Sequence, residues 1–106
     1  MITITYTQDK HRVEVQGHAD YDEPGKDIVC ASVSALVYTL AANLIDAEDR
    51  HMVRELLTDI RTGNTVIQCI PSARSAGEIT RIYHTVLRGM ELIAKNYPDY
   101  VACVKK

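Results

Sequence analysis

From Ile28 to Ile45 the chain runs eighteen residues without an acidic or basic side chain. A run of that kind has few homes. It approaches the about 20 apolar residues that a membrane-spanning helix needs, but Cys30, Ser32, Ser34, Thr39 and Asn43 interrupt it. The central helix of a globular domain accommodates those groups better. Val29, Val33, Leu36, Leu40 and Leu44 recur at helical spacing, and Ala31, Ala35, Tyr38 and Ala42 form a second, smaller-residue face. Both faces ask for cover: a sheet on one, a second helix or a partner chain on the other. Asp27, just before the run, is placed to cap it.

The sheet is legible on either side. "ITITY" and "RVEVQG" alternate apolar and polar residues as half-buried strands do, with the polar "QDKH" as their connection. That alternation sets Val13 and Val15 against Arg12, Glu14 and Gln16, and extends to put His18 on the polar face. "TVIQCI" is a strand, and the "GN" before it is a hairpin signal. A hairpin needs a preceding strand, expected over Leu56–Arg61, although Met52, Val53, Leu56, Leu57 and Ile60 also fit a helical face. Ile79, Tyr83, Val86, Met90 and Ile93 mark a second helix from Ser75 to Asn96, and "YVACV" closes the chain as a strand. The order ββαββαβ predicts an α+β fold, an antiparallel sheet packed with two helices, in a single domain over 1–106.

Composition narrows the function classes. With six tyrosines and no Trp or Phe, the core must come from Val, Ile, Leu and Ala. A core that thin makes a homodimer attractive as a further way to bury apolar surface. The net charge of −2 argues against a dedicated nucleic-acid binder, and "MITITYTQDK" lacks the pattern of a signal peptide. Three cysteines without paired spacing argue against a disulfide framework and for a reducing cytoplasm. The absence of CxxC or HExxH predicts no zinc site, and nothing calls for a cofactor. Arg74, Arg81, Arg88 and Lys95 form a basic stripe on the second helix, read as a solvated face.

The chemistry concentrates between residues 17 and 36. If Asp27 caps the helix, Cys30 falls in its first turn, among N–H groups without intrahelical partners. A helix N-terminus stabilises an anion by about 0.3–1 kcal/mol, less than the about 1.36 kcal/mol of one pKa unit. A first-turn thiol therefore needs a nearby imidazolium to become a good nucleophile at neutral pH, and His18 is the histidine of the segment. The same N–H groups are candidates to hold a developing oxyanion. Pattern alone leaves a second reading open, in which Cys30 is a small core residue and His18 a turn residue.

"GHA" followed by "GKDIVCASVSAL" closely resembles the signature of the ribosomal-processing cysteine proteases, the Prp family. The "TGN" hairpin, the amphipathic second helix and "NYPDYV" follow that family's layout more loosely. The resemblance implies a homodimeric cytoplasmic enzyme with Cys30 as nucleophile and His18 as general base. It also implies supporting roles for Asp27 and Ser34, though Ser34 reads equally as a small residue permitting close packing. The implied substrate is the precursor of a large-subunit ribosomal protein, or a phage capsid or scaffold precursor. Asp20, Asp22, Glu23 and Gly25, in "ADYDEPGK", are then candidate substrate-binding residues of a flap that attracts basic peptide, or simply a solvated loop. Rival readings are a non-catalytic dimeric adaptor for such precursors and a protein that senses redox state through Cys30.

Overall fold

The computed structural model describes residues 1–23 and 25–106; Pro24, in the acidic loop, lies outside the described residues. The elements are β1 (Ile2–Thr7), β2 (Arg12–Gln16), α1 (Ile28–Asp49), β3 (Val53–Arg61), β4 (Asn64–Pro71), α2 (Ala76–Asn96) and β5 (Val101–Lys105). The expected α+β order ββαββαβ is the observed one. Short 3₁₀ turns at Gln8–Lys10 and Ala73–Ser75 lead out of β1 and into α2.

The five strands form one sheet in the order β3-β4-β2-β1-β5. Three of its pairings are antiparallel, as expected, but β5 runs parallel to β1, so the sheet is mixed. The reason is α2: a helical crossover returns the chain to the starting end, so β5 points the same way as β4 and β1. Alternation decides which face is covered. Ile2, Ile4, Tyr6, Val13, Val15, Ile67 and Cys69 are buried under the helices, whereas Thr3, Thr5, Glu14 and Gln68 point to the other face.

α1 and α2 pack together on that covered face. From α1, Val29, Val33, Val37, Leu40 and Leu44 enter the core; from α2, Ile79, Tyr83, Val86, Leu87 and Met90 do. The sheet and α2 cover α1 on its inner side. Its outer side leaves Ile28, Tyr38 and Ile45 exposed, although the helix is long and apolar enough to cross a membrane by length and composition.

β3 begins at Val53, earlier than the Leu56 start expected. The pairing with β4 slips between Arg54 and Leu57, where Glu55 takes a φ of +51°. The bulge interrupts the two-residue period, which is why the first half of the strand imitates a helical face.

Candidate active site

Three elements converge at one end of the sheet: the first two turns of α1, the chain leaving β2, and the β3–β4 turn. The register dictates this meeting. Gln16, last in β2, pairs with Asn64, first in β4, so the Thr62–Gly63 turn lies beside Gly17 and His18. Gly17 donates its N–H to the Gly63 carbonyl at 2.9 Å. With a φ of +92°, Gly17 also turns the chain where an added Cβ would run into the Met1 carbonyl. That turn ends the strand parity, and His18 therefore faces the α1 side instead of continuing the polar face.

A cavity of about 310 Å³ opens between these elements, and His18, Cys30 and Ser34 all line it. Its floor is apolar, from Ile2, Val15, Val33, Val37 and Ile60, and its rim includes Arg61, Thr62 and Asn64. Among the described residues no hydrogen bond joins Cys30 Sγ to the His18 ring; the Cys30 side chain bonds Asp27 instead. Bonds between catalytic groups are often long before substrate arrives and tighten around it.

Asp27 is the N-cap of α1, as expected, with Oδ1 accepting from the Val29 N–H at 3.0 Å and the Cys30 N–H at 2.9 Å. Its Oδ2 accepts from Tyr21 at 3.0 Å and Asp22 at 3.4 Å. Burial opposes the charge on Asp27, but the N–H groups of Cys30, Asp22 and Tyr21, with the Cys30 side chain, outweigh it. The carboxyl is held below its ordinary value. This geometry corrects one expectation: the Val29 and Cys30 N–H groups are engaged by the cap, so they are not free oxyanion donors here.

Ser34 differs from its neighbours on the helix. Ser32 and Thr39 spend their hydroxyls on carbonyls one turn back, at 2.6 and 2.7 Å. Ser34, between them, makes no such bond among the described residues, and its hydroxyl opens onto the cavity one turn beyond Cys30.

The acidic loop lies elsewhere. Asp20, Asp22, Glu23 and Gly25 are exposed and do not line the cavity. The loop is fastened by Asp27 and by Tyr21, whose ring meets Tyr97 and Tyr100 edge-on at 5.5 and 5.1 Å. The other two cysteines sit in the sheet. Burial pushes the Cys69 and Cys103 thiols up, whereas Cys30 is half-buried at a helix start. Sequence reasoning missed the contribution of β3 and β4 to the cavity. The "GN" signal located their turn, but only the strand order puts it beside His18.

A family model for the cysteine protease Prp matches residues 1–102. Among solved structures, the S. aureus ribosomal processing protease Prp with a covalently linked product peptide is 28% identical, with a TM-score of 0.81 and 100% of both chains covered. The same S. aureus protease with a substrate peptide is 26% identical at a TM-score of 0.70, again over 100% of both chains. The Streptococcus mutans protein SMU.848 is 27% identical at a TM-score of 0.60, over 98% of this chain and 90% of that one. No curated protein matches the chain.

Proposed function

Since this chain belongs to the Prp family of cysteine proteases, we propose that it is a site-specific endopeptidase in which Cys30 and His18 form the catalytic dyad. The observation that carries the assignment is the shared cavity: of the three cysteines, Cys30 alone lines it, and His18 stands on its rim. His18 accepts the Cys30 proton, and the thiolate attacks the scissile carbonyl carbon to form a C–S bond. As the tetrahedral intermediate collapses, the C–N bond breaks and the imidazolium protonates the leaving amine. His18 then takes a proton from water, which attacks the thioester and releases the acid and the Cys30 thiol. Ser34 donates to the oxyanion, and Asp27 holds the helix start that carries the nucleophile. The reaction so written uses no metal or cofactor.

The relatives and the cavity together support a substrate class. The S. aureus relative is a ribosomal processing protease solved with peptides. Here the preferred substrate is the N-terminal extension of a large-subunit ribosomal protein precursor, cut in the cytoplasm. The apolar floor takes an apolar side chain next to the scissile bond, and the exposed Asp20, Asp22 and Glu23 attract basic residues further along. The enzyme works as a homodimer of one domain, 1–106. The test is mass spectrometry of N-terminal peptides from ribosomal and phage precursors incubated with wild type and Cys30→Ala. Cleavage at one bond of a ribosomal precursor by wild type only is the expected result. Preference for a phage peptide would reassign the substrate, and cleavage by Cys30→Ala would remove the nucleophile.

A further inference from the structure

The turn between β3 and β4 meets the His18 segment at two points, Gly17 and the His18 ring. Through the backbone, the Gly63 carbonyl accepts the Gly17 N–H at 2.9 Å and fixes the residue before the histidine. Through the ring, a Cβ added to Gly63 would lie 2.7 Å from His18 Nε2, 3.2 Å from Cε1 and 3.5 Å from Cδ2. The imidazole therefore rests against the one residue type that leaves it room. Among the described residues the exposed His18 ring makes no hydrogen bond, and this turn forms the wall on one side of it.

We propose that Gly63 is a positioning residue for His18, its bare Cα forming the wall that keeps the imidazole facing the Cys30 cavity. The inference rests on the reading of His18 as the base, and goes beyond it by naming what aims that base. A side chain at residue 63 shifts the ring, because the ring is the free end of a flexible side chain and the surrounding backbone is not. The damage should thus fall on catalysis more than on folding.

Gly63 has a φ of +76°, a region where an L-residue such as Ala is strained. Asn enters the left-handed region more readily than other non-glycine residues, so Gly63→Asn keeps the turn while still placing a Cβ against the ring. Wild type, Gly63→Asn, Gly63→Ala and His18→Ala are compared on the cleaved peptide for kcat, KM and pH–rate profile. Thermal melting and the ¹H–¹³C resonances of the His18 ring complete the set.

In Gly63→Asn, kcat should fall by about a hundredfold, the order of loss for a catalytic group misplaced by an ångström. KM should stay within about threefold, the pH–rate profile should move, and the His18 ring resonances should shift in a protein that still melts cooperatively. Gly63→Ala should add a lower Tm to the same kinetic loss. A folded Gly63→Asn with wild-type kcat and unmoved ring resonances overturns the proposal. So does a Gly63→Asn that fails to fold, since the turn is claimed to tolerate the change. Full activity in His18→Ala would instead remove the dyad, leaving the ring resonances to report whether Gly63 holds the ring.

Discussion

Asp27 divides its two carboxylate oxygens between two structures, Oδ1 serving the start of α1 and Oδ2 the Tyr21–Asp22 backbone. The division predicts different losses for two substitutions. Asp27→Ala removes both and should cost about 1 kcal/mol, as lost N-caps do, a fall in Tm of about 4–8 °C for a domain this size. Asp27→Asn retains one acceptor for the helix but turns an NH₂ toward the loop N–H groups. It should keep most of the stability while amide exchange quickens at Tyr21 and Asp22. Matching melts and exchange for the two variants would contradict the division. The folded carboxyl lies below its unfolded value near 3.8, so its stabilisation is present above that pH and lost as pH falls through the folded value. Urea melts of wild type and Asp27→Ala should therefore converge in acid. The cap was legible in the sequence because its contacts join residues two and three apart. The second oxygen's partners depend on the path of a loop, which no local pattern encodes.

At the scale of elements, the far end of the sheet carries a second titrating device. His11 closes the β1–β2 connection at a φ of +47°. Its Nε2 lies 3.1 Å from Thr80 Oγ1 and its ring meets Tyr83 edge-on at 5.6 Å. Burial, and then the charge of His84, pushes the His11 pKa down. For a histidine lowered in the folded state, the unfolded chain takes the proton first. Nothing is lost above the unfolded value of about 6.5, and stability declines as pH falls below it toward the folded value. Asn tolerates this backbone region, so His11→Asn should flatten the decline in denaturant midpoint on acidification. An equally steep decline in the variant would assign it to another group. The elements themselves were legible wherever a period ran unbroken. β3 was not, because the bulge at Glu55 breaks its alternation, and the parallel placement of β5 was not, because strand order is set by how α2 packs. The cavity suffers the same limit: His18, Cys30 and Ser34 lie in one readable stretch, while Gly63 joins them only through the Gln16–Asn64 pairing.

For the whole molecule, the charge-free run that defines α1 meets the core with only one of its sides. On the outer side Ile28, Tyr38 and Ile45 remain 53%, 60% and 49% exposed, with Ala31, Ala35 and Ala42 exposed between them. These six residues are arranged symmetrically about the middle of the helix. If a second copy packs antiparallel across a two-fold axis there, Ile28 meets Ile45, Ala31 meets Ala42, and Ala35 meets Tyr38, each contact occurring twice. The alanines let the helices approach, and the absence of charge removes the desolvation penalty that such an approach would carry elsewhere on the surface. This is the interface expected for the proposed homodimer, and it makes a pairing-specific prediction. Ala42→Glu sets a carboxylate in the stripe twice over and should weaken the dimer by at least a hundredfold, roughly 2.8 kcal/mol. Sedimentation velocity should then show the mass of one chain. Ala31→Lys alone should do the same, yet the double variant Ala31→Lys/Ala42→Glu should recover much of the association, because the two-fold sets each lysine opposite the partner's glutamate. A dimer that survives Ala42→Glu uses another surface, and a double variant that stays monomeric rules out this register of the two helices.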